Sequence, residues 1–88
     1  MDHVEQSLKD YIAHQFLFDA TEEELANDQP LVSTGIIDSL GIFILVAFLE
    51  KEFGVQVQPG DVRVENFETV NALKRLVGER LPPVIQVM

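Results

Sequence analysis

Asp38-Ser39-Leu40 puts a carboxylate and a hydroxyl side by side where a long connection meets a strongly apolar stretch. A serine hydroxyl can attack, or it can accept a group. Attack needs a general base within hydrogen-bonding reach and a site for the oxyanion. The only histidines, His3 and His14, lie together near the start of the chain, and His14 falls off the apolar stripe there, as a surface histidine would. Hydrolytic chemistry at Ser39 is therefore disfavoured. An exposed oxygen at the head of a helix suits group attachment better, because unpaired backbone N–H groups and the helix dipole favour a phosphate there. Asp38 opposes that phosphate by charge, so its local role is to cap the helix. An ordinary capping pair with an unmodified serine is the competing account of these two residues.

Other chemistry is poorly provided for. The chain has no cysteine, which removes disulfides, zinc–thiolate sites and any protein-borne thiol. Glu22, Glu23 and Glu24 are consecutive and would point different ways around a helix. Asp61 and Glu65 have helical spacing, but two carboxylates are too few for a calcium cage. No metal site is expected. The formal charge is −9, which disfavours nucleic acid, since phosphate binding needs Lys and Arg to displace counterions. Nine of the 15 acids lie in residues 1–38 against Lys9 alone, so the acidic field belongs to the first half. No run approaches the roughly 18 apolar residues of a membrane span. The start Met1-Asp2-His3-Val4-Glu5 lacks the basic and apolar segments of a secretory signal. A cytoplasmic monomer is the expectation.

The elements that must position Ser39 are legible from periodicity. Val4, Leu8, Tyr11, Ile12 and Phe16 form one stripe of a helix over about 3–16. The connection 17–37 follows, with a capping-box turn at Thr21-Glu22-Glu23-Glu24 and a stop at Pro30. Leu31, Val32, Ile36 and Ile37 can pin it across the body of the domain. Asp38 caps a helix whose first residue is Ser39 and which ends near Phe53 at Gly54. Val55-Gln56-Val57-Gln58 alternates like a strand, but with no partner it is read as extended loop. Pro59-Gly60-Asp61 turns into a short helical piece at about 61–66. Thr69 caps the last helix, with Val70, Leu73, Leu76 and Val77 inward, and Pro82-Pro83 stops it after Arg80. These elements predict an all-α, small four-helix bundle (three longer helices, one short) with a long first loop. Residues 1–80 form the domain and 81–88 a tail.

The run Gly35-Ile36-Ile37-Asp38-Ser39-Leu40-Gly41, followed by Glu50-Lys51-Glu52-Phe53-Gly54-Val55 and Asn66-Phe67-Glu68-Thr69-Val70, resembles the phosphopantetheine carrier proteins over residues 4–78. The resemblance implies that Ser39 bears a covalent 4'-phosphopantetheine arm taken from coenzyme A by a separate phosphopantetheinyl transferase. Asp38 and Leu40 would frame it for that enzyme. It also implies a biosynthetic role without catalysis, in which an acyl or aminoacyl group rides on the arm as a thioester. The arm then supplies the thiol that the chain lacks. The uncharged turn after Ser39 looks most like D-alanyl carriers and stand-alone aminoacyl or peptidyl carriers, which are loaded by an adenylating ligase and serve downstream transfer enzymes. A fatty-acid or polyketide acyl carrier is the alternative, and an unmodified helical interaction module is the alternative from another class.

From Leu40 to Leu49 no charge appears, so every direction around nearly three turns is apolar. Phe43, Val46, Leu49 and Phe53 are expected inward, with Leu45 and Ile42 at the margins. Leu40, Ile44 and Ala47 are left as an i, i+4, i+7 row beside Ser39. They are either covered by the loop residues Ile36 and Ile37 or exposed as a partner interface.

Overall fold

In the computed structural model, residues 3–16 and 25–81 are described. Helix α1 spans His3–Phe16, α2 Ser39–Phe53, α3 Val64–Phe67 and α4 Val70–Arg80, with a 3₁₀ turn at Pro59–Asp61 between α2 and α3. No strand occurs among the described residues, and the all-α expectation holds. None of these helices is long and apolar enough to cross a membrane. The capping-box turn at Thr21–Glu24 and the tail beyond Leu81 lie outside the described residues.

Helices α2 and α4 begin at local caps. Asp38 and Thr69 take extended backbone conformations and cap α2 and α4; the Thr69 hydroxyl accepts from the Ala72 N–H at 3.0 Å. Gly54 ends α2 at φ 69°, a left-handed conformation open to glycine, and its N–H donates to the Glu50 carbonyl at 3.1 Å. The extended stretch after it buries Val55 and leaves Gln56 exposed, as the alternation suggested. The short helical piece expected at 61–66 is split in two. Proline and the Asp61 cap close the 3₁₀ turn first, and α3 starts only at Val64.

The core gathers one face of every element. Leu8 and Ile12 of α1, Leu45 and Leu49 of α2, Phe67 of α3 and the whole α4 stripe Val70, Leu73, Leu76 and Val77 are buried. Leu31 and Ile37 of the loop are fully buried among them, so the loop is anchored as expected. Removing each such side chain from water contributes about 1.5–3 kcal/mol, which offsets the cost of ordering a segment without secondary structure. Glu5 draws α1, α4 and the loop together. It accepts from Lys74 Nζ at 2.9 Å and Asn27 Nδ2 at 3.0 Å, and these contacts hold its carboxyl below the usual carboxylate range.

The phase of α2 corrects the sequence reading. Gly41, Leu45 and Leu49 face inward at spacings of four, whereas Phe43 is 62% exposed. With ten uncharged residues in a row, hydropathy could not choose the inward face. Gly41 chooses it. A Cβ there would stand 2.9 Å from Phe16 Cε1 and 3.0 Å from Ile37 Cγ2, so the start of α2 packs closely against both only because position 41 has no side chain. Val46, Phe53 and Ile42 are half-buried.

Candidate functional site

Ser39 is the first residue of α2, exposed, and no described residue hydrogen-bonds its hydroxyl. Asp38 beside it is committed to the helix. Its Oδ1 accepts the Gly41 N–H at 2.8 Å, while its carbonyl accepts the Ile42 N–H at 2.9 Å. Substituting such a cap by alanine costs about 1 kcal/mol. The arrangement presents a free hydroxyl on a rigid first turn, at the end of a helix where backbone dipoles favour a phosphate. It fits a covalently attached phosphoryl group.

Among the described residues no base meets the Ser39 hydroxyl. The His14 Nδ1–H donates to the Asp10 carbonyl at 2.8 Å, and His3 Nε2 lies 3.4 Å from Ser7 Oγ. Both rings find partners within α1. Asp61 and Glu65 do not come together as ligands either. Asp61 is buried, gripped by Arg80 through Nε at 2.7 Å and a second guanidinium nitrogen at 2.8 Å, and it accepts the Gln58 N–H at 2.9 Å. The Arg80 contact, helped by the Gln58 amide, lowers its pKa to about 2 against the desolvation of burial. Glu65 lies 3.6 Å from Arg63.

The loop that delivers Asp38 is held by a latch that sequence reading missed. The Glu68 carboxylate, in the short link between α3 and α4, accepts from the Val32 N–H at 3.2 Å, the Ser33 N–H at 3.1 Å and the Ser33 hydroxyl. Those bonds, the hydroxyl foremost, keep its carboxyl below the ordinary glutamate range although partial burial opposes this. The Glu68 carbonyl also accepts the Leu31 N–H at 2.7 Å, and the Leu31 carbonyl accepts the Ile37 N–H at 2.9 Å. Gly35 turns the chain between them at φ 84°. The only signal in the sequence was Glu68 itself, inside the stretch Asn66–Val70 that opens the last helix.

Around Ser39 the surface is apolar. Leu40 is 67% exposed, Ala47 is exposed and Ile44 is half-buried, so Ile36 and Ile37 do not cover the row. Phe43, expected inside, joins Leu40 outside. Ile44 and Ala47 continue into a groove between α1 and α2.

Comparison with known proteins gives two matches. A family model described as "phosphopantetheine attachment site" matches residues 6–77. The chain is 38% identical over 74 residues to a probable acyl carrier protein, PigG, of Serratia sp. (strain ATCC 39006), covering 84% of each chain.

Proposed function

Because this chain belongs to the phosphopantetheine attachment family, we propose that Ser39 is its attachment serine and that an adenylating ligase loads the arm with an amino or related carboxylic acid. Membership makes the protein a carrier and not a catalyst: it tethers acyl groups on covalently bound 4'-phosphopantetheine. The group supplies a terminal thiol to a chain that has none, and cargo is held there as a thioester. Modifying and biosynthetic enzymes are its partners. One observation carries the choice of Ser39: an exposed hydroxyl without a partner among the described residues, on the first turn of α2 and next to an aspartate already engaged as the cap. In the proposal the phosphopantetheinyl transferase docks over Asp38 and Leu40, the Ser39 Oγ bonds to the pantetheine-side phosphorus of coenzyme A as the P–O–P bond breaks, adenosine 3',5'-bisphosphate leaves, and the hydroxyl proton passes to that enzyme.

Leu40, Ile44 and Ala47, with Phe43 added, form the partner interface in this reading. Its support is the absence of charge on α2 before Glu50, so partners meet apolar shape beside the serine. The name of the Serratia relative favours a second reading, an acyl carrier loaded by acyl transferases. A cytoplasmic monomer with residues 1–80 as the carrier domain and 81–88 as a tail completes the proposal. The family match ending at residue 77, just before the end of α4, supports that division.

Intact mass tests the assignment. Incubation with coenzyme A and a broad-specificity transferase should add the mass of one phosphopantetheinyl group, and Ser39→Ala should gain nothing. Modification of that variant would overturn the site, while an unmodified wild type would favour the interaction module. Offering the modified protein to adenylating ligases and to acyl transferases separates the two cargo classes.

A further inference from the structure

Residues 31–37 lead into Asp38 and Ser39 without helix or strand, so their position depends on what grips them. Glu68 grips them twice. Its backbone carbonyl accepts the Leu31 N–H at 2.7 Å, and its carboxylate accepts the Val32 N–H, the Ser33 N–H and the Ser33 hydroxyl. Bonds to an ionised carboxylate are stronger than those between neutral groups, and three share this one. Among the described residues, no other side chain outside the segment hydrogen-bonds to it. The Thr34 hydroxyl turns back to the Pro30 and Leu31 carbonyls, at 2.9 and 3.3 Å.

From that grip the backbone reaches the serine in a short relay. The Leu31 carbonyl accepts the Ile37 N–H at 2.9 Å, which closes 31–37 into a ring. Ile37 is buried against the first turn of α2, with its Cγ2 3.0 Å from where a Gly41 Cβ would stand. Asp38 then caps that turn through the Gly41 N–H. Burial of Leu31 and Ile37 secures the two ends of the ring. Its crown is different: Ser33, Thr34 and Gly35 are all exposed, and no apolar contact can hold them. The Glu68 carboxylate is what ties the crown to the body of the domain. A crown that lifts takes Ile36 and the backbone entering Asp38 with it.

We infer that the Glu68 carboxylate is a positioning residue for arm attachment, holding residues 31–37 in the arrangement that presents Asp38 and Ser39 to the transferase. The inference rests on Ser39 being the attachment serine. Glu68 does not hydrogen-bond Ser39; it acts through the population of loop arrangements. When a fraction of molecules is competent to bind, apparent affinity falls by that fraction, while the complex, once formed, reacts as before. The signature is a raised KM with kcat unchanged.

Arm transfer from coenzyme A is followed by intact mass at varied carrier concentration, each variant first shown to be folded by circular dichroism. Glu68→Ala keeps the Leu31 bond, which is to backbone, and removes the other three. A competent fraction of about one in ten would raise KM roughly tenfold. Ser33→Ala loses the hydroxyl bond alone and leaves the charge at the start of α4 in place, so KM should rise less. Adding it to Glu68→Ala should cost nothing further. Glu68→Gln keeps an acceptor for the two amides and should recover part of the loss. Amide exchange in Glu68→Ala should quicken at Val32, Ser33 and Ile37 and stay at wild-type rates in α1. Val77→Ala, which weakens the core on α4 instead, should leave KM unchanged. A folded Glu68→Ala with wild-type KM overturns the inference, as does a fall confined to kcat or an equal rise in KM for Val77→Ala. Should Glu68→Ala fail to fold, a wild-type KM in Ser33→Ala overturns it equally. If the mass of the wild type does not rise, the assignment of Ser39 fails, and this inference fails with it.

Discussion

Gly41 decides how Ser39 is presented, although it carries no chemistry. Ile37 Cγ2 and Phe16 Cε1 approach within about the contact distance of a Cβ that is not there, and Ile37 is fully buried and cannot retreat. Gly41→Val would gain something from leaving behind glycine's poor helix propensity. It would lose more by overpacking, because a branched side chain must displace the head of α2 from the loop that feeds it. We expect a net loss of about 2 kcal/mol, read from urea unfolding, and slower arm attachment at Ser39. Unchanged stability would mean the contact yields easily and does not set the helix phase. The caps Asp38 and Thr69 and the left-handed Gly54 were legible in sequence, because each answers to backbone within a few residues of itself. The role of Gly41 was not, because it depends on two side chains brought in from other segments.

Among the elements, α1 and α4 carry polar residues that mark an outer face, and their inward stripes could be read directly. Helix α2 carries none from Leu40 to Leu49, and its facing became visible only when the close approach at Gly41 fixed the rotation. Phe43 moves from the expected core to the outside for that reason alone. An exposed phenylalanine one turn from the serine has no packing role to lose, so Phe43→Glu should keep the fold within about 0.5 kcal/mol by thermal unfolding. If the apolar strip is where partners dock, placing a charge in it should lower the rate of ligase loading about tenfold or more. Loading at the original rate would remove Phe43 from the interface. The Glu68 latch belongs to this scale too: it joins the link before α4 to the loop before α2 across 35 residues of sequence, a distance over which periodicity carries no information.

For the molecule as a whole, charge opposes compactness. Fifteen acids face six bases, and the net repulsion at neutral pH works against the compact state. The Asp61–Arg80 pair works the other way. It ties the 3₁₀ turn to the last residue of α4, nineteen residues on. The sequence offered both residues but not their meeting, which depends on where the turn falls. Because the folded-state pKa of Asp61 lies near 2, below the roughly 3.9 of an unfolded aspartate, its contribution is fully present above the unfolded value. That contribution is lost as pH falls from about 4 towards 2. Asp61→Asn keeps the shape and can still accept from Gln58, but it cannot pair with the guanidinium. The substitution also removes one negative charge, which by itself would stabilise so acidic a chain. Any drop at neutral pH therefore understates the pair. We expect Tm at pH 7 to fall by ~5 °C. The gap should stay level down to about pH 4 and close by pH 2, where wild-type Asp61 is itself becoming protonated. The remaining acids titrate in both proteins, so the difference between the two curves isolates this one carboxylate. A gap of equal size at every pH would assign the loss to packing and leave the ion pair with no part in holding the turn.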